Sequence, residues 1–288
     1  MKTIIVAGAT GYLGRHLCAA FSAKGFYVTA IVRDTQRAAD VTADVLIEAE
    51  ATRPETLQGI MAGTDMVVSA LGITRQRDGL GYWDVDYQAN LNLLEEAERA
   101  GVTRFGFVHV LNADKMSEVP LVAAKAAFVE RLQASSIEHA VIAPSGFFSD
   151  MGDFLSMARN GRVWLFGAGH HRINPIHGAD LAMATVEAMT TGTDWLDVGG
   201  PEAFSHTQIA SLAFQALNRP KKVTHLPDAL RRFVLRVLPW VTPRSINGPA
   251  QFFLSAMGME MVGTPKGSHR LADHFKAEAA ALARSSGQ

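Results

Sequence analysis

The glycines near the amino terminus have the spacing of a phosphate-binding loop. Gly8, Gly11 and Gly14 follow a short apolar run and directly precede an amphipathic pattern in VAGATGYLGRHL. In this order, free N–H groups and the positive end of a helix can bind a pyrophosphate, and glycine lets the backbone turn sharply beside it. The predicted dinucleotide loop consists of Gly8, Ala9, Thr10, Gly11, Tyr12, Leu13 and Gly14. A structural turn without a ligand is the alternative.

A guanidinium at the end of the next apolar run indicates which dinucleotide binds. Arg33 lies 19 residues after Gly14, where an NAD-specific site carries an acidic residue for the ribose hydroxyls. A guanidinium at this position suits the 2′-phosphate of NADP(H). Asp34 could instead repel that phosphate or accept a ribose hydroxyl, so NAD is the alternative. We expect NADP(H) as the cofactor.

Several histidines are candidates for proton transfer or metal binding. His109 and Asn112 follow a predicted strand, whose carboxyl end points into the ligand crevice of an open α/β sheet. His109 could donate a proton there, or it could pack against a covering helix, because side chains alternate along a strand. We expect no metal site from His170, His171 and His177, because adjacent histidines in a strand face opposite ways and no carboxylate completes the set.

A repeated strand–helix pattern would position these residues. The predicted strands of the first half are 3–7, 27–32, 45–47, 66–69, 105–110 and 139–142. Between the third and fourth strands, Pro54 occupies a first helical position, and Leu57, Ile60 and Met61 supply the buried stripe of a predicted helix. The alternation is typical of an α/β fold, a Rossmann-type doubly wound parallel sheet with helices on both faces.

The pattern loosens in the second half of the chain. We predict short strands at 163–166 and 172–176 and helices at 179–189 and 207–217. Residues 1–150 are expected to form a dinucleotide-binding Rossmann domain. Residues 151–288 are expected to form a smaller substrate or cap region, interleaved with the same core.

A basic amphipathic stretch lies within this second half, at residues 227–241. Leu230, Phe233, Val234, Val237 and Leu238 recur there at helical spacing, with arginines between them. We expect this stripe to pack in the core or at a subunit interface. A substrate lid and contact with lipid are the second and third interpretations.

Composition excludes several classes of partner. The 288 residues carry a formal net charge of −1, which provides no global positive field for nucleic acid. No run approaches the 18 apolar residues of a membrane span. The single cysteine, Cys18, cannot form an internal disulfide, and we expect a cytoplasmic protein. The expected partners are a small-molecule substrate and, as a possibility, further copies of the same chain.

Four segments together resemble the extended and atypical short-chain dehydrogenase/reductase superfamily. They are GATGYLGR, VDYQANLNLLEEAERAGVTRF, APSGFF and NPIHGADLA, and the likeness covers residues 2–187. It is closest to the NmrA-like and isoflavone-reductase-like branch, which implies NADP(H). The resemblance also implies that Ala70, Leu71 and Gly72 line the cofactor, and that Phe147 lies beside the nicotinamide.

The resemblance is incomplete at the catalytic tyrosine. Typical members use a Ser, a Tyr and a Lys four residues after the Tyr, and the Lys lowers the pKa of the Tyr hydroxyl. Lys125 matches the Lys, but Leu121 stands in place of the Tyr, and the usual Ser is also absent. Lys125 would then act alone as acid or base, or it would only bond the nicotinamide ribose.

These observations leave three candidate functions for the protein. The first is an NADPH-dependent reductase of a small apolar carbonyl or alkene, with Lys125 or water as the proton source and with Asn112 and His109 as further catalytic candidates. The second is a non-catalytic NADP(H)-binding regulator of the NmrA-like type. The third, a nucleotide-sugar epimerase or dehydratase, is disfavoured because that chemistry normally uses the missing tyrosine.

Overall fold

The computed structural model describes residues 1–73 and 79–286. Its strands are β1 (Thr3–Ala7), β2 (Tyr27–Val32), β3 (Val45–Glu48), β4 (Met66–Ser69), β5 (Arg104–Val108), β6 (Glu138–Pro144), β7 (Val163–Phe166), β8 (Arg172–Ile173), β9 (Trp195–Gly199), β10 (Phe204–Ser205), β11 (Val223–Leu226) and β12 (Thr264–Pro265). Its α-helices are α1 (Tyr12–Ala23), α2 (Asn90–Ala100), α3 (Pro120–Gln133), α4 (Gly152–Arg159), α5 (Gly178–Thr191), α6 (His206–Ala216), α7 (Asp228–Val241), α8 (Arg244–Ala256) and α9 (Leu271–Ser286).

A parallel sheet forms the centre of the molecule. Across the described residues its strand order is β3-β2-β1-β4-β5-β6-β9-β12, and every neighbouring pair is parallel. The chain reverses its direction across the sheet between β1 and β4, the switch point at which open α/β sheets bind ligands. The predicted Rossmann-type fold is therefore confirmed.

Helices cover both faces of this sheet. On one face, α1 and α5 pack on residues such as Ile4, Val6 and Val68. On the other face, α2 and α3 bury Phe105, Phe107 and their neighbours. Odd and even positions of the same strand thus serve different layers, as the alternation of side chains along a strand requires.

The predicted helix after Pro54 is wrong. The structure has only a short 3-10 turn at Pro54–Thr56, followed by further turns. Gly59 and Gly63 have φ of +76° and +72°, a left-handed conformation that ends a helix rather than continuing it. Leu57 and Met61 are nevertheless fully buried, so the apolar spacing reports burial and not helical structure.

The second half of the chain contributes both to the sheet and to a separate cluster. β9 and β12 extend the sheet beyond β6. Helices α4, α6 and α9 pack with β7 around a third apolar cluster, and α7 and α8 pack against each other. No helix among the described residues is both long and apolar enough to cross a membrane.

Candidate functional site

The glycine loop between β1 and α1 depends on two glycines for its packing. Gly8 has φ of +79°, and a Cβ built on it would lie 2.9 Å from the carbonyl carbon of Ala70. A Cβ on Gly14 would overlap the carbonyl oxygen of Gly8. The N–H of Gly11 donates to that same oxygen at 3.0 Å. Gly8 and Gly14 therefore allow β1, β4 and α1 to approach one another closely.

Gly11 and Thr10 form the open side of the same loop. Gly11 has φ of −75°, and its built Cβ meets only the carbonyl oxygen of Gly8, at 3.2 Å. Both residues are exposed, whereas Ala9 and Leu13 are buried beneath them. The N-cap residue of α1 is Gly11, which has no side chain to cap the helix, so the first N–H groups and the positive dipole end stay available to a bound anion. This cradle fits the phosphates of a dinucleotide.

Tyr12 connects the glycine loop to the opposite wall. Its hydroxyl oxygen accepts a hydrogen bond from the Gly178 N–H at 3.0 Å, at the start of α5. Its ring centroid lies 6.0 Å from that of Phe147, which follows β6. Burial is the main cause of the raised pKa of Tyr12. The structure thus brings Tyr12 and Phe147 together, as edge-to-face rings beside the loop.

Arg33 lies exposed just after β2. Asp34, the possible source of repulsion, is engaged locally. Its Oδ1 accepts from the Gln36 N–H at 2.9 Å, and its Oδ2 lies 3.3 Å from the Arg37 Nε. Within the described ranges Arg33 has no ion-pair partner. The end of β2 therefore presents an uncommitted guanidinium, with the neighbouring carboxylate already paired.

Lys125 is buried against a carboxylate that the sequence analysis did not single out. Its Nζ lies 3.3 Å from Oδ1 of Asp86 and donates to the Val108 carbonyl oxygen at 3.1 Å. Asp86 is fully buried. Burial raises the pKa of Asp86, while the nearby ammonium of Lys125 acts in the opposite direction. This is a buried ion pair at the carboxyl end of β5.

The loop after β4 closes directly over this ion pair. The Ala70 N–H donates to the Ala7 carbonyl oxygen at 3.0 Å, and Leu71 packs partly buried behind it. A Cβ on Gly72 would lie 2.6 Å from Oδ1 of Asp86 and 3.0 Å from Nζ of Lys125. Gly72 thus lets the backbone rest on both charged groups.

A hydrogen-bonded network joins the same loop to the helix that carries Asp86. The Leu71 N–H donates to Oγ of Ser69 at 3.2 Å, and that hydroxyl donates to Oδ1 of Asn90 at 2.5 Å. The Asn90 amide donates to the carbonyl oxygens of Val85 and Asp86, at 3.1 and 3.0 Å. Residues Trp83–Ala89 are π-helical, a form that occurs as a single wide turn next to functional sites. The Asn90 side chain thus satisfies carbonyl groups of this wide turn.

The other two predicted catalytic residues have different surroundings. His109 is buried, and its ring centroid lies 6.2 Å from that of Phe107 and 5.9 Å from that of Trp195. Burial, with a smaller effect of Lys125, lowers the pKa of His109 to about 3. Asn112 has φ of 55° and donates to the Glu260 carbonyl oxygen at 2.9 Å. Asn112 therefore joins the end of β5 to a distant segment.

The histidines of the second half are divided between two places. His177 stacks on His269 with ring centroids 4.1 Å apart, and its Nδ1 accepts from the Ala179 N–H at 3.2 Å. His171 instead lies 3.9 Å from Glu260, and His170 is exposed. Among residues 1–73 and 79–286, no group of three His, Cys, Asp or Glu side chains is arranged to hold a metal ion.

Comparison with known sequences identifies the family. The profile of the NAD(P)H-binding family matches residues 8–191, which is more than half of the chain. The chain belongs to the NAD(P)H-binding family. This match, together with a fold shared with a solved isoflavone reductase at a TM-score of 0.70 and 17% identity, confirms the predicted resemblance at the level of the fold.

The relatives of this NAD(P)H-binding protein include an assembly factor and a reductase. A photosystem II assembly factor from Synechocystis sp. is 26% identical over 237 residues, which cover 80% of this chain and 72% of the relative. The chloroplastic divinyl chlorophyllide a 8-vinyl-reductase of Zea mays is 28% identical over 262 residues, covering 82% of this chain and 64% of the relative. Proteins similar to this chain thus include one named as a reductase and one named as an assembly factor.

A solved structure shares the whole fold. The NADPH-dependent quinone oxidoreductase of Escherichia coli, crystallised with NADPH, has a TM-score of 0.74 and 17% sequence identity. The alignment covers 97% of this NAD(P)H-binding protein and 99% of the oxidoreductase. The likeness therefore extends beyond the glycine loop to the second half of the chain.

Sequence reasoning missed three buried polar residues of this NAD(P)H-binding protein. Ser69, Asp86 and Asn90 are all fully buried, yet they were not among the predicted site residues. One signal was available. Asp86 and Asn90 are four residues apart and share a helical face with Leu93 and Leu94, and buried polar groups need partners. Those partners, however, belong to other segments of the chain.

Proposed function

We propose that the protein is an NADPH-dependent reductase of a small apolar carbonyl or alkene. The observation that carries the proposal is the buried Lys125–Asp86 pair, which lies under the Ala70–Leu71–Gly72 loop at the carboxyl end of the sheet. Buried charged groups in a ligand crevice are candidates for proton transfer. The maize relative named as a vinyl reductase supports an alkene as one substrate class.

In this proposal each predicted residue has a role in binding the cofactor. The open side of the Gly8–Gly14 loop and the amino terminus of α1 hold the pyrophosphate. Arg33 binds the 2′-phosphate, which favours NADPH over NADH. Ala70, Leu71, Gly72 and Phe147 line the remainder of the dinucleotide. When bound, NADPH supplies the hydride of the reduction.

The protein then has to supply one proton, and Lys125 is the proposed source, directly or through a water. Its Nζ carries exchangeable protons and is oriented by the Val108 carbonyl oxygen and the Asp86 carboxylate. A hydride and a proton together complete the two-electron reduction. His109 is a weaker candidate donor, because a pKa of about 3 leaves its ring neutral near pH 7. The contacts of Asn112 favour a role in positioning the end of β5.

The reaction is tested by measuring NADPH consumption with quinones, enones and vinyl-substituted rings. We expect turnover with at least one class. Replacing Lys125→Met keeps most of the side-chain length and removes the charge, and it should lower turnover at saturating NADPH by about 10²-fold to 10⁴-fold. Lys24→Met, at an exposed position after α1, is the matched control. Unchanged turnover in the Lys125→Met protein would remove Lys125 from the mechanism.

A second candidate function is a non-catalytic NADP(H)-binding regulator. Leu121, in place of the usual tyrosine, is buried at the start of α3, so no hydroxyl stands one helical turn before Lys125. The assembly-factor relative is in line with this function. A regulator would bind NADPH in a calorimetric titration and consume it with none of the substrates.

A further inference from the structure

The positive charge of the chain is concentrated around α7. Between residues 219 and 259 the only acidic residue is Asp228, whereas the whole chain has a net charge of −1. The basic residues of this segment are Arg219, Lys221, Lys222, Arg231, Arg232, Arg236 and Arg244. The near-neutral total therefore conceals a basic segment and an acidic remainder.

An exposed apolar strip runs along the same helix. Phe233 is 62% exposed, Trp240 is 87% exposed and Val241 is 67% exposed. Together with Leu230, also exposed, they recur at intervals that place them on one face of α7. The interpretation of the predicted stripe as core is wrong for Leu230 and Phe233, because the helix presents them to solvent.

The opposite face attaches α7 to the protein. Arg231 is buried, and its guanidinium donates to Asp228 at 2.6 Å and to the Leu254 carbonyl oxygen of α8 at 3.0 Å. Arg232 and Arg236 are exposed, and their spacing places them along one edge of the apolar strip. The outward surface of α7 therefore combines a row of apolar side chains with a row of guanidinium groups.

We propose that this surface of α7 docks on an anionic lipid bilayer, with the helix parallel to the membrane plane. Guanidinium groups interact with anionic headgroups, while Phe233 and Trp240 enter the boundary between headgroups and acyl chains. This proposal is independent of the reductase activity.

Charge complementarity favours a lipid surface over two other occupants. A second copy of the chain, related by a twofold axis, would bring the arginines of α7 against themselves. Nucleic acid would satisfy the arginines, but phosphate contacts give no reason for an exposed aliphatic residue such as Val241 next to Trp240. An anionic lipid surface can contact both rows of α7 at once: its headgroups contact the guanidinium groups, and its acyl-chain boundary takes the apolar side chains.

The experiment is co-sedimentation of the full chain with vesicles. Phosphatidylcholine vesicles containing about one-third phosphatidylglycerol should bind the protein, pure phosphatidylcholine vesicles should bind much less, and added salt should weaken the binding. Arg232→Glu with Arg236→Glu should lower the partition coefficient by roughly tenfold or more. Phe233→Ser with Trp240→Ser should also lower it, because apolar burial contributes to interfacial binding.

Matched variants elsewhere separate docking from general effects. Arg53→Glu reverses an exposed arginine and Tyr27→Ser removes an exposed aromatic ring, both far from α7 in the sequence. Both should bind vesicles like the unmodified protein, and circular dichroism should show that all variants are folded. Equal binding to both vesicle types, or to neither, would overturn the proposal. A concentration-dependent dimer that Phe233→Ser abolishes would overturn it as well, and would assign the strip to a second copy.

Discussion

The carboxylate of Asp86 is buried beside the ammonium of Lys125. It is fully buried, its Oδ1 lies 3.3 Å from the Lys125 Nζ, and a Cβ built on Gly72 would lie 2.6 Å from that oxygen. Removing one partner of a buried ion pair leaves an uncompensated charge, which typically costs about 3–5 kcal/mol. We therefore infer that Asp86 is a positioning residue, which acts on chemistry through Lys125.

Replacing Asp86→Asn keeps the shape of the side chain and removes its charge. We expect the free energy of unfolding to fall by about 3 kcal/mol. Turnover at saturating NADPH should also fall, with KM changed little, because the carboxylate beside the Lys125 Nζ no longer orients it. Urea unfolding and steady-state kinetics measure the two effects. Asp84→Asn, exposed in the same helical segment, is the control. A lower stability with unchanged turnover would make Asp86 purely structural.

At the scale of elements, local sequence patterns predict those strands and helices whose conformation depends on residues nearby in the chain. Strands β1, β2 and β4 begin and end where the sequence places them, and the predicted 105–110 strand differs mainly by ending at Val108. The segment after Pro54 is not helical, because Gly59 and Gly63 adopt left-handed conformations. The spacing of apolar residues does not report such conformations. The Asp86–Lys125 pair joins α3 to a π-helical turn far from it in sequence. Such pairs follow from the three-dimensional arrangement of elements, and no single segment encodes them.

Arg33, just after β2, is the basis of a prediction about which cofactor binds more tightly. NADPH should bind more tightly than NADH, and Arg33→Ala should reduce the difference, because a charge-assisted hydrogen bond to the 2′-phosphate contributes on the order of 1.5–3 kcal/mol. Arg53→Ala, another exposed arginine, should leave the difference intact. Calorimetric titration with both cofactors checks this. Equal affinities in the unmodified protein would contradict the choice of NADP(H).

For the whole molecule, the buried histidines make stability depend on pH. Burial is the main cause that lowers the pKa of His109 to about 3 and of His206 to about 4, from an ordinary 6.5. Between these values and 6.5 the unfolded chain binds more protons than the folded protein. The stability that these two histidines contribute is therefore complete above pH 6.5 and is lost as the pH falls towards 4.

We expect each of these two histidines to lower the free energy of unfolding by on the order of 2 kcal/mol between pH 7 and pH 5. His206→Gln should reduce this dependence, because an amide does not titrate in that range, whereas His170→Gln, at an exposed position, should leave it unchanged. Urea unfolding at a series of pH values measures the slope. An identical slope in the His206→Gln protein would show that His206 is not one of the responsible groups.

The parallel sheet also has a consequence for biosynthesis. Its last two strands, β9 and β12, begin at residues 195 and 264, although they extend a sheet whose other strands end by residue 144. While the ribosome is still producing the second half, β6 has an unpaired edge with buried apolar residues such as Val141 and Ile142. Such an edge can pair with strands of other chains. The division at residue 150 stays a prediction, and a fragment that ends there would expose this edge permanently.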